Sequence, residues 1–177
     1  MWRMTGAVVL AVGACVLAAD LPVKEGGPAP EVLLPVTGTG KDLPGVKDGK
    51  LALKDIKKPV VLFFYPKAMT KGCTVESCGF RDTLAEFTKL DTVVIGISTD
   101  KLADQEKFVE MQKLTFPLLA DDSKTVTKAF GALSEKGTAL RYTFVIDQTG
   151  VIRKIYTKVA PADHPKEVLE FVKTLVK

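Results

Sequence analysis

Val60-Val61-Leu62-Phe63-Phe64-Tyr65-Pro66 is an unbroken apolar run of β-branched and aromatic residues closed by a proline. A run this short, with no polar residue alternating through it, reads as a strand buried on both faces at the centre of a sheet. Downstream, Cys73, Phe80, Leu84 and Phe87 recur at helical spacing with the small Ser77 between them, which predicts a helix from about Cys73 to Lys89. A second buried strand follows at Thr92–Ser98, then an amphipathic helix over Leu102–Leu114.

Phe116-Pro117-Leu118-Leu119 reads as a short strand, and Ser123 as the N-cap of a helix ending at Phe130. Arg141–Asp147 reads as a strand, Asp147-Gln148-Thr149-Gly150 as a turn, and Val151–Tyr156 as its antiparallel return. A last helix starts near His164-Pro165, with its apolar face on Val168, Phe171, Val172 and Leu175. Upstream, Glu31–Leu34 and Leu51–Leu53 read as short strands around a Gly- and Pro-rich loop at 37–50. Alternating strands and helices that end in a hairpin and a helix imply an α/β domain. Its central sheet is mixed and carries helices on both faces, and a thioredoxin-like architecture is the simplest match.

The chain has 177 residues, 46% hydrophobic and 26% charged, which fits one folded domain plus an appendage. Lys and Arg number 25 against 21 Asp and Glu, a net charge of +4. The positives alternate with acids, as in Lys41-Asp42 and Lys47-Asp48, so no nucleic-acid surface is expected. The N-terminus reads as an address. Arg3 precedes an apolar stretch from Gly6 to Ala19, which as a helix would reach only about 21 Å, short of the roughly 30 Å hydrocarbon core. Residues 1–19 are therefore expected to be a signal peptide cut near Asp20, with residues 20–177 as the exported domain and no stable membrane span. Val12-Gly13-Ala14-Cys15 resembles a weak lipoprotein box, so lipidation of Cys15 is the alternative. An exported chain, in a bacterial periplasm or cell envelope, sits where disulfides persist.

Of the three cysteines, Cys73 and Cys78 lie in the domain. Cys73 falls where a loop becomes a helix, at the carboxyl end of the central strand, where sites in open α/β sheets gather. The positive end of a helix stabilises a thiolate there, and Gly72 permits close backbone approach. The plainer reading makes Cys73 a small core hydrophobe on the line with Phe80 and Leu84.

The flanking residues favour reactivity. Pro66-x-x-x-Thr70-x-x-Cys73 is similar to the active-site motif of the peroxiredoxins. The longer FFYPKAMTKGCTVESCGFRD resembles their bacterioferritin-comigratory, or Q-type, branch. Phe116–Asp121 and Arg141–Asp147 resemble it in order and spacing, so the likeness spans about Gly26 to Lys177. It implies a thiol peroxidase acting on hydrogen peroxide and organic hydroperoxides. Cys73 would be the peroxidatic cysteine and Cys78 the resolving one, joined in an intramolecular disulfide that a thioredoxin-like dithiol partner reduces. Thr70 would hydrogen-bond around sulfur and peroxide, Pro66 would shield the site, and Arg141 would sit beside the thiolate. Lys67-Ala68-Met69 and Lys71 depart from the usual acidic pair and proline of that loop.

No metal, flavin or haem is expected, because two thiols five apart without a nearby histidine do not complete a zinc site. His164, the sole histidine, is remote in sequence, and Arg81 reads as a supporting charge or an exposed ion pair with Asp82 or Glu86. A monomer is expected. Two other readings stand beside this one: a thiol–disulfide oxidoreductase, disfavoured by C-x4-C in place of C-x-x-C, and a non-catalytic redox sensor or binding module.

Overall fold

Two sheets organise the chain in this computed structural model, which describes residues 21–175. The leader expected at 1–19, and Cys15 with it, lie outside the described residues. The smaller sheet is antiparallel, in the order β1 (Leu33–Pro35), β3 (Lys50–Ala52), β2 (Val46–Lys47). The larger contains β4 (Val60–Phe64), β5 (Val93–Ser98), β6 (Leu118–Ala120), β7 (Thr143–Ile146) and β8 (Ile152–Tyr156), ordered β6-β5-β4-β7-β8. β4 is central, parallel to β5 and antiparallel to β7. The mixed sheet is as expected, and β4 is buried at every position.

The alternation of β4 side chains divides the core in two. Val61, Phe63 and Tyr65 point into a layer formed by α1 (Lys71–Lys89), α2 (Leu102–Gln112) and α4 (His164–Leu175), among Phe80, Phe87, Phe108, Val168 and Val172. Val60, Leu62 and Phe64 point the other way, onto the small sheet and α3 (Thr125–Ala129), with Phe130 tilted against Phe64 and Phe144 edge-on to it. Each fully buried large apolar side chain here contributes about 1.5–3 kcal/mol. Helices therefore cover both faces, three on one and a single short one on the other.

Three expectations need correction. The loop at 37–50 contains β2, which pairs with β3 around Gly49 in the left-handed conformation (φ 71°). The strand expected from Arg141 begins only at Thr143; Arg141 sits at a bend, and Tyr142 N–H closes on the Leu140 carbonyl. Ser123 is not the N-cap of α3, because Lys124 holds that place in a left-handed turn (φ 63°). Asp121 satisfies the helix end instead, accepting from Thr125 N–H at 3.1 Å and Thr127 N–H at 2.6 Å. Among the described residues no helix is long and apolar enough to cross a membrane.

Candidate active site

β4 ends at Phe64, and the chain loops through Tyr65–Thr70 into α1, whose third residue is Cys73. The floor of that loop is a hydrogen-bonded network. Tyr65 donates its hydroxyl to Gln105, and Gln105 Nε2 donates to Ser98 Oγ at 2.8 Å and to the Leu119 carbonyl at 3.0 Å. Ser98 in turn donates to Asp100 Oδ2 at 2.8 Å, and the same oxygen accepts the Ala68 N–H at 2.7 Å. The ends of three strands and of α2 thus hold one loop. That anchoring fixes Met69 in the left-handed region (φ 63°), unusual for a side-chain-bearing residue.

Cys73 is fully buried. The first intrahelical bond of α1 is Thr74 N–H to the Thr70 carbonyl, at 2.9 Å. The N–H groups of Lys71, Gly72 and Cys73 therefore have no acceptor within the helix, and their dipoles favour negative charge at the sulfur. Arg141 reaches the same point from the bend before β7, donating from Nη2 to Cys73 Sγ at 3.3 Å. A β-carbon on Gly72 would lie 3.2 Å from that nitrogen, so the glycine leaves room for the guanidinium.

The other end of the guanidinium, Nη1, pairs with Glu76, one helical turn beyond Cys73 and fully buried. Burial, partly offset by Arg141, pushes the Glu76 carboxyl up to about 7. Its Oε1 and the hydroxyl of Ser77 have no hydrogen-bond partner among the described residues. Sequence reading missed Glu76, although its spacing from Cys73 puts it on the inward face. A carboxylate there runs against the apolar pattern, which was itself the available signal.

The remaining expected residues fall as follows. Pro66 is half-buried at the end of the central strand. Thr70 holds the N-cap position but is exposed, and its hydroxyl donates to the Lys67 carbonyl at 3.0 Å rather than meeting the sulfur. Cys78 lies in the same helix as Cys73, partly exposed, with its thiol 3.7 Å from Gln112 Oε1. Arg81 pairs with Asp82 at 2.7 Å and also donates to the Gln112 carbonyl at 2.6 Å. His164 is buried behind the site, its Nε2 2.8 Å from Thr143 Oγ1. Burial holds its imidazole below the ordinary value against the opposing pull of Glu167.

A model of the AhpC/TSA family matches residues 26–155. The chain belongs to that family. It is 39% identical over 142 residues to Peroxiredoxin Bcp of Bacillus subtilis, covering 76% of this chain and 90% of the relative. It is 36% identical over 161 residues to Peroxiredoxin Bcp of Escherichia coli, covering 86% and 97%. Among solved structures it is similar to peroxidoxin BcpB of Mycobacterium tuberculosis, with a TM-score of 0.75, 33% identity, and coverage of 86% and 97%. A Xanthomonas campestris bacterioferritin comigratory protein, described for its alkyl peroxide reduction activity, matches with a TM-score of 0.73 and 27% identity over 82% of this chain and 92% of its own. The chain is thus a peroxiredoxin of the bacterioferritin-comigratory, or Q, branch, and a thiol peroxidase on a thioredoxin-like fold.

Proposed function

We propose that Cys73 is the peroxidatic cysteine of this peroxiredoxin and Cys78 its resolving partner. The observation that carries the assignment is Arg141 Nη2 at 3.3 Å from a buried sulfur at a helix start. The Cys73 thiolate attacks the terminal peroxide oxygen. The O–O bond breaks, its electron pair leaves on the distal oxygen, and that oxygen takes a proton to become water or an alcohol. Cys73 is left as a sulfenic acid. The Cys78 sulfur then attacks it, expelling water and forming a disulfide. A thioredoxin-like dithiol reduces that bond by exchange and is itself oxidised.

Ionisation alone supplies little of the rate. A thiol of ordinary acidity, about 8.5, is roughly 3% ionised at pH 7, so full ionisation gains about thirtyfold, or around 2 kcal/mol. The larger share comes from stabilising charge on the departing oxygen. Arg141 and the free N–H groups of the first turn of α1 are placed for this, and a rotation of the Thr70 side chain would add its hydroxyl.

Resolution requires motion. Five residues apart on one helix, two Cα atoms are about 8.6 Å apart, whereas a disulfide needs them within about 7 Å and its Cβ vectors convergent. The first turns of α1, from about Gly72 to Gly79, therefore unwind in each cycle.

The substrates are hydrogen peroxide and organic hydroperoxides, a breadth supported by the alkyl peroxide activity named for the Xanthomonas campestris relative. The protein acts as a monomer, exported through a leader at residues 1–19 and either cut near Asp20 or lipidated at Cys15. Peroxide consumption with a dithiol reductant, run on the wild type, Cys73→Ser and Cys78→Ser, tests the cycle. Dithiol-dependent turnover lost in Cys73→Ser supports it, and stoichiometric oxidation without turnover in the wild type contradicts it. The mass of the native protein tests the leader, since an uncut Met1 terminus contradicts export by this route.

A further inference from the structure

One residue of α2 grips α1 on both sides of the point where unwinding has to stop. Gln112 is the last residue of α2, and its side-chain oxygen accepts from the Cys78 thiol at 3.7 Å. Its main-chain carbonyl, one of those a helix end leaves without an intrahelical partner, accepts from Arg81 Nη1 at 2.6 Å. The second bond is charge-assisted and lies at the negative end of the α2 dipole, so it is the stronger of the two. On the opposite side, Gly79 packs so closely on Pro165 of α4 that a β-carbon there would lie 2.8 Å from the proline ring.

Cys78 has to leave its place for the disulfide to form, and Arg81 lies at the edge of the segment that opens, so its bond to the Gln112 carbonyl resists that opening. We propose that Gln112 and Arg81 form a latch that holds Cys78 in the helix and fixes the boundary of unwinding, making both positioning residues for the resolution step. The proposal rests on the Cys73–Cys78 disulfide reading. While the latch is closed, Cys73 sulfenic acid faces the site with no thiol in reach, and a second peroxide can oxidise it to sulfinic acid. Latch strength thereby sets the partition between disulfide and sulfinic acid.

The test is rapid-mixing kinetics on the whole protein with Gln112→Met, Arg81→Met and Arg81→Lys. In both methionine variants the first-order rate of disulfide formation should rise about threefold to tenfold, the range expected for loss of one hydrogen bond. The second-order rate of Cys73 oxidation should stay at the wild-type value, and the peroxide concentration that half-converts Cys73 to sulfinic acid should rise by the same factor. Gln112→Met changes no charge, so acceleration there separates release of the latch from an electrostatic effect on the thiol. Arg81→Lys, which can still donate to the Gln112 carbonyl, should return the rate toward the wild type. A wild type that forms the Cys73–Cys78 link while both methionine variants resolve at its rate, or more slowly, overturns the latch alone. A wild type that turns over peroxide without forming that link overturns the disulfide reading and the latch with it.

Discussion

Arg141 donates from Nη2 to the sulfur of Cys73 at 3.3 Å, although the two residues lie 68 positions apart in the chain. One guanidinium thus faces the nucleophile with Nη2 and the buried Glu76 carboxylate with Nη1. Replacing Arg141 by methionine keeps much of the stem and removes both contacts. Peroxide attack should slow on the order of a hundredfold, the usual loss for one donor to a developing charge. Alkylation of Cys73 by a neutral reagent should slow much less, because it needs the thiolate but no charge stabilisation on a leaving oxygen. Stopped-flow comparison of the two reactions checks this; equal slowing would confine Arg141 to favouring the thiolate.

Glu76 makes stability depend on pH. Its carboxyl rises from an ordinary 4.5 to about 7 in the folded protein. Between those values the folded state holds a proton that the unfolded chain has released. Stability therefore falls as pH rises through this window. Glu76→Gln removes the titration while keeping the shape. Relative to that variant, the wild type should lose on the order of 3 kcal/mol between about pH 4.5 and about pH 8. Denaturant midpoints measured across the range decide it, and parallel profiles for the two proteins would remove Glu76 as the cause.

Gly79 lies inside α1, where alanine would ordinarily stabilise by roughly 0.5–1 kcal/mol. Here a β-carbon would meet Pro165 at 2.8 Å, and the proline ring at the start of α4 has little freedom to move aside. Overpacking of this kind costs about 1–3 kcal/mol. Gly79→Ala should therefore destabilise the reduced protein by about 1 kcal/mol in equilibrium unfolding. A gain in stability would mean that α4 yields easily.

Cys78→Ser should still be oxidised at Cys73 by peroxide at the wild-type rate, then stall until an external thiol resolves the sulfenic acid. It should also reach sulfinic acid at lower peroxide than the wild type. Mass spectrometry of the oxidised variant reads both effects. Loss of the first oxidation in Cys78→Ser, with its retention in Cys73→Ser, would reverse the two roles.

Much of this fold is legible from local pattern. The Val60–Tyr65 run has no reading but a central strand, and the Asp147–Gly150 turn carries its own chemistry, since Asp147 Oδ1 accepts from Thr149 N–H at 2.8 Å and Val151 N–H at 3.0 Å. What local pattern missed depends on tertiary partners. β2 is two residues long and exists only because β3 pairs with it. Ser123 has the chemistry of an N-cap, but Asp121, fixed at the end of β6, supplies more acceptors. In the site, Cys73 and its helix start were legible from Gly72 and the strand before it. Asp100 and Gln112 were not, because a carboxylate or amide on a helix or loop reads as solvated until the group it meets is known, and Glu76 showed only as a break in the inward apolar pattern, with no sign of Arg141 as its partner.

Hydrogen exchange along α1, before and after one equivalent of peroxide, tests the central claim most directly. The reduced protein has both cysteines in one continuous helix, Lys71–Lys89. On oxidation, amides from Cys73 to Arg81 should lose protection, while those from Leu84 to Lys89 keep theirs, because opening one helix end is cheap compared with global unfolding. An oxidised protein in which the whole of α1 stays as protected as in the reduced form would contradict resolution of Cys73 by Cys78.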